Sequence, residues 1–117
     1  MTESGKIDWA CHANDAAASI HDVLEMSNAV QAAEEFYNAH PNETLILVTA
    51  DHETGGLTLL DGDERTGRVM GCYVTDDHTP AMLPVFAYGP GADRFCGVYL
   101  NTEIARRIRV LYDERKH

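Results

Sequence analysis

The sequence predicts an α/β fold, a mainly parallel sheet with flanking helices, in a single domain over residues 1–117. Three observations lead there. The run Thr44-Leu45-Ile46-Leu47-Val48-Thr49 is apolar and rich in β-branched residues, the pattern of a strand buried on both faces beneath helices. A long helix-forming segment precedes it, and an amphipathic one closes the chain. Helix, buried strand, weaker strands, strand and helix is the order of an α/β layer architecture.

Residues 14–40 read as helix because Ala16, Ala17 and Ala18 favour it and Val30, Ala33 and Tyr37 fall on one face. Ser27 sits where an N-cap would restart the helix, so two pieces are expected. His40-Pro41-Asn42 should end the element, since proline disfavours helix at the residue before it. Leu57–Leu60 and Val69–Val74 read as weaker strands around the turn Asp61-Gly62-Asp63-Glu64. Leu83–Tyr88 reads as another, closed by Gly89-Pro90-Gly91. Asn101 or Thr102 caps the last helix, whose Ile104, Ile108 and Leu111 share a face and whose basic end Arg115-Lys116-His117 suits a helix C-terminus.

With 44% hydrophobic and 24% charged residues, the composition is that of a folded chain and not of a disordered tail. Nine Lys and Arg against nineteen Asp and Glu give a net charge of −10. That balance argues against nucleic acid, whose phosphates are held by cationic side chains, and favours cations as company. No apolar stretch is long enough to span a bilayer, and the start MTESGKIDWA lacks a basic region followed by an apolar run, so neither membrane nor export is expected from these residues. Cys11, Cys72 and Cys96 cannot all pair within one chain, which argues against a disulfide framework and leaves only a Cys72–Cys96 pair open.

The residues with chemistry are few. Asp8 and His12 stand four apart, Asp51-His52 follows the apolar strand directly, and His78 lies in Asp76-Asp77-His78-Thr79. Each is ordinary alone, and Asp8 with His12 could be a helix-surface pair. Together they form an oxygen and nitrogen donor set suited to zinc. The place of Asp51-His52 adds weight, because ligands of open α/β sheets gather beyond the carboxyl ends of strands.

Three segments then resemble the bacterial alkaline phosphatases: Ile7-Asp8-Trp9-Ala10-Cys11-His12-Ala13-Asn14-Asp15, Thr49-Ala50-Asp51-His52-Glu53-Thr54-Gly55-Gly56-Leu57, and His78-Thr79 followed by Pro84-Val85-Phe86-Ala87-Tyr88-Gly89-Pro90. They occur in the family's order, and the likeness runs through nearly the whole chain. The resemblance implies a first zinc held by Asp8, His12 and His78, which binds the leaving oxygen and activates water. It implies a second zinc held by Asp51 and His52, and a magnesium ligand at Glu3. It further implies phosphomonoester hydrolysis, in which two close divalent ions stabilise the attacking and leaving oxygens.

The departures from the family pattern matter equally. The family's nucleophilic serine lies in an Asp-Ser-Ala type segment well upstream, alongside a phosphate-clamping arginine, and neither is found here. Ser4, Ser19 and Ser27 are the only serines, and none stands in such a segment. The expectation is therefore a C-terminal, truncated, metal-binding portion, inactive or very weak alone. It would need the missing N-terminal half, or would serve instead as a non-catalytic metal-binding or homo-oligomeric module using an uncovered sheet edge. The span from Gly56 to His78 looks shorter than in many relatives. Family members are usually periplasmic or extracellular, and the location of this chain is left open. His21, His40 and His117 match no ligand position and read as surface or capping residues. Cys11 reads as a small core residue, and the glycine turns lack the spacing and lysine of a phosphate loop.

Overall fold

The computed structural model describes residues 1–114. Its elements run α1 (Gly5–His12), α2 (Ala16–Ala39), β1 (Ile46–Val48), β2 (Glu53–Thr54), β3 (Thr58–Asp63), β4 (Arg68–Cys72), β5 (His78–Thr79), β6 (Phe86–Tyr88), a 3₁₀ turn (Ala92–Phe95) and α3 (Thr102–Glu114). The α/β character matches the expectation, but the sheet does not. The described strands form three two-stranded ladders, β1–β6, β2–β5 and β3–β4, all antiparallel. A parallel neighbour requires a crossover that returns the chain in the same direction. Here β3 and β4 are joined by a tight turn, and β6 comes back against β1 in the opposite sense, with Ile46 facing Tyr88 and Val48 facing Phe86. Strand β1 is also shorter than the apolar run and only half-buried.

Helix α2 is continuous through Ser27, where a break was expected. Adding one residue to an existing helix is far easier than nucleating a new one, and a serine in mid-helix costs only a few tenths of a kcal/mol relative to the best formers. The helix ends at Ala39, just before His40-Pro41, as the proline required. Asp15 supplies its start, the Oδ1 atom accepting from the Ala18 amide at 3.0 Å.

The β3–β4 hairpin also departs from the sequence pattern. Asp61, Gly62 and Asp63 were expected to form the turn but lie in β3. A bulge between Leu59 and Asp61 takes up the irregularity. The Asp63 carboxylate accepts from the Arg65 amide at 2.9 Å, an Asx turn that moves the reversal to residues 64–67.

The chain gathers into two compact units, the first made of Met1–Gln31 and His52–Leu83, the second of Ala32–Asp51 and the chain from Pro84 onward. In the first, α1 packs on β2. Ala10 and Ser19 are buried there, and the Ser19 hydroxyl bridges the Asp15 carbonyl and the Tyr73 hydroxyl, each at 2.8 Å. Ser19 is thus a structural residue. In the second unit Phe95 is buried, Tyr37 and Tyr88 meet with ring centroids 4.6 Å apart and planes tilted by 50°, and Arg107 lies 3.7 Å over the Tyr99 ring. The expected face of α3, Ile104, Ile108 and Leu111, is half-buried. The basic end 115–117 lies outside the described residues.

Ala10 and Phe95 are the only buried hydrophobic residues among those described. That core is far smaller than a chain of 117 residues ordinarily builds. Large apolar side chains are correspondingly exposed, among them Trp9, Leu24, Leu59, Leu60 and Val69. No helix of the described residues is long and apolar enough to cross a membrane.

Candidate metal centre

Helix α1 places Asp8 and His12 one turn apart on the same face. The sequence marked this pair by its spacing and by the family-like segment around it, and the helix beneath it is the reason the two side chains meet. The His12 Nε2 atom lies 3.4 Å from Asp8 Oδ1. Strand β5 brings His78 to the same point, its Nε2 atom 3.2 Å from His12 Nε2 and 3.7 Å from Asp8 Oδ1. Three donors at these separations match the edges of a zinc tetrahedron, which for bonds of roughly 2.0–2.2 Å are about 3.3–3.6 Å long.

The tautomer of His12 suits this role. Its Nδ1 faces the backbone carbonyl of Asp76, which can only accept, so Nδ1 donates and Nε2 keeps its lone pair toward the cluster. A ligand histidine whose other nitrogen is tied to a carbonyl is the usual arrangement at metal centres.

His52 belongs to the same group. Its ring stacks on His78 with centroids 3.6 Å apart and planes 20° from parallel. Asp8, His52 and His78 each offer one donor atom within 4.8 Å of the others. The two histidines expected on separate zinc ions are therefore neighbours in one group. Glu3 is exposed and precedes α1, outside this group. Asp51 is exposed beyond the carboxyl end of β1 and belongs to the second unit, also outside the group.

The Asp8 carboxylate is held below its ordinary range. The principal cause is the Thr54 hydroxyl, which donates to Oδ1 at 2.6 Å, and partial burial opposes it. The His12, His52 and His78 rings add smaller contributions in the lowering direction. A carboxylate that stays ionised is the form a cation needs.

Two further side chains hold the site, and the sequence pattern assigned neither a role. Glu53 accepts from the Gly56 amide at 2.9 Å and from the Thr79 hydroxyl, tying β2 to the residue beside His78. Thr54 lies opposite His78 in the β2–β5 ladder. A signal existed, since residues 52 and 54 of an extended segment face the same side.

The fold and this carboxylate and imidazole cluster define an α/β protein with a candidate divalent-metal centre. A family model described as alkaline phosphatase matches residues 1–71, and the chain belongs to the alkaline phosphatase family. Alkaline phosphatase 4 of Bacillus subtilis is 25% identical over 175 aligned positions, which cover 92% of this chain and 38% of the relative. Streptomycin-6-phosphate phosphatase of Streptomyces griseus is 34% identical over 123 positions, covering 89% of this chain and 27% of the relative. The chain thus spans well under half the length of these relatives. The 175 aligned positions also exceed the 117 residues of this chain, so the Bacillus relative carries additional residues inside the matched span. The structure of the alkaline phosphatase from the Antarctic bacterium TAB5 superposes with a TM-score of 0.83 at 37% identity, over 92% of this chain and 33% of that one. A mutant of the same enzyme, with Mg bound in its M3 site, superposes equally well.

Proposed function

We propose that residues 1–117 form the metal-binding domain of an alkaline-phosphatase-type phosphomonoesterase. Asp8, His12 and His78 would hold a first zinc, His52 and Asp51 a second, and Glu3 would contribute to a magnesium site. The observation that carries the reading is the convergence of Asp8 Oδ1 with the Nε2 atoms of His12 and His78 at 3.2–3.7 Å. When bound, two neighbouring divalent ions stabilise the attacking and leaving oxygens of phosphoryl transfer. The part played by this chain is to present ligands in fixed orientations, with His12 steered by the Asp76 carbonyl and Asp8 kept ionised by Thr54. The magnesium-containing relative supports a third metal position.

The nucleophile and phosphate clamp are proposed to come from outside residues 1–117. Ser19 is buried and hydrogen-bonded, Ser27 lies in the middle of α2, and Ser4 precedes α1. The mainly parallel sheet belongs to the same proposal: among the described residues β1 has one ladder, antiparallel to β6, and its parallel neighbours would be strands outside residues 1–117. A chimera tests the reading. Replacing the matching third of the TAB5 enzyme with this chain should preserve aryl phosphate hydrolysis, and His78→Ala in the chimera should abolish it. A well-folded chimera without activity, or full activity of the His78→Ala chimera, contradicts the proposal. Substantial chelator-sensitive turnover by residues 1–117 alone would contradict the placement of the nucleophile.

A second reading, a homo-oligomeric and non-catalytic module, draws on the β3–β4 hairpin, whose Leu59, Leu60 and Val69 are 57–69% exposed. An isolated two-stranded hairpin is marginal in water, and a partner surface over these residues would stabilise it. Light scattering on the purified chain decides, since a strict monomer removes that reading.

A further inference from the structure

We propose that Thr54 is a positioning residue whose hydroxyl fixes both the Asp8 carboxylate and the His52 ring, presetting the metal centre. This rests on the metal-centre reading above and adds a group outside the ligand set. Thr54 is 7% exposed, among the few buried polar residues of the described chain. Its Oγ1 atom lies 2.6 Å from Asp8 Oδ1 and 3.2 Å from His52 Nδ1. An ionised carboxylate only accepts, so the single hydroxyl proton of Thr54 points to Asp8. The oxygen then has only lone pairs left for His52, whose Nδ1 must carry the proton. The Nε2 atom of His52 then carries the lone pair, the form in which a ring nitrogen binds a cation.

The backbone completes the device. Thr54 pairs with His78 across the β2–β5 ladder, so one residue touches two ligands through its side chain and registers a third through its main chain. Glu53, its neighbour, pins the same ladder through the Thr79 hydroxyl and the Gly56 amide. The outer-sphere partners of metal ligands set ring orientation and tautomer, and their loss weakens metal binding without removing a ligand.

The test compares the whole chain with Thr54→Val and Thr54→Ser, titrating zinc against a competing chelating indicator and checking each fold by circular dichroism. Valine keeps the shape and removes the hydroxyl, while serine keeps the hydroxyl. The expected result is zinc affinity weakened about 10- to 100-fold in Thr54→Val and within about 3-fold of wild type in Thr54→Ser. Unchanged affinity in a folded Thr54→Val, or equal losses in both variants, overturns the proposal. A wild-type chain without tight zinc overturns the reading beneath it, which is a distinguishable failure. Should Thr54→Val not fold, long-range proton–nitrogen NMR of the zinc-loaded wild type decides. A proton on His52 Nδ1 supports the assignment, and one on Nε2 refutes it.

Discussion

His12→Ala and His78→Ala are each expected to weaken zinc binding on the order of 100-fold or more, while His21→Ala leaves it unchanged. The scale follows from dividing the about 10–16 kcal/mol of a structural zinc site among four ligands, which gives about 3 kcal/mol, or roughly two decades of affinity, for each. His12 and His78 face one another and Asp8 within 3.2–3.7 Å. Removing either imidazole leaves a carboxylate and one ring where three donors met. His21 has the same chemistry in the wrong place, exposed on α2 beside Asp22. Competition titration of the three variants checks the claim, and equal affinities would remove the basis for the cluster. No loss of helix should accompany the loss of metal, because both histidines are part-exposed and neither belongs to the buried core.

Gly89→Ala is expected to destabilise the chain by about 3 kcal/mol, combining the cost of a forced left-handed backbone with that of overpacking. Gly89 closes strand β6 with φ at +113°, and a Cβ there would sit 2.4 Å from the Thr44 carbonyl oxygen and 3.1 Å from the Tyr37 ring. The carbonyl belongs to the backbone leading into β1, so it cannot swing aside as a flexible side chain would. Gly67 is the internal comparison. Its φ is +69° and nothing lies within 4 Å of its missing Cβ, so Gly67→Ala should cost only about 1 kcal/mol of backbone strain. Urea unfolding of the two variants reads the difference, and equal midpoints would show that the Thr44 contact does not constrain the fold.

Much of the site was legible in the sequence, and the reasons are local. Asp8 and His12 are four apart, but the sequence pattern marked no helix over them, and it is α1 that places them together. His52 and His78 were recognisable from the segments around them, and the structure brings both to Asp8. Thr54 was not legible as a partner, because a threonine two residues beyond a histidine is commonplace until the β2–β5 ladder and α1 lie around it. The direction in which β1 pairs was not legible for a similar reason. The apolar run Thr44–Thr49 reports that a strand is suited to burial on both faces, and pairing direction depends on whichever strand comes alongside. Within the described residues that strand is β6, running antiparallel. The turn expected at Asp61–Glu64 moved because a bulge accommodated Leu60 and an Asx turn at Asp63 set the reversal later. Both are tertiary choices among local options that the sequence leaves nearly equal.

The most direct measurement is zinc stoichiometry and affinity on the purified, metal-free chain, by elemental analysis together with competition titration. One tight zinc per chain, displaced by chelator, is what the Asp8, His12 and His78 geometry predicts. A chain that is folded by circular dichroism and yet retains no zinc after dialysis would contradict the metal centre itself, and would leave the family fold without its chemistry.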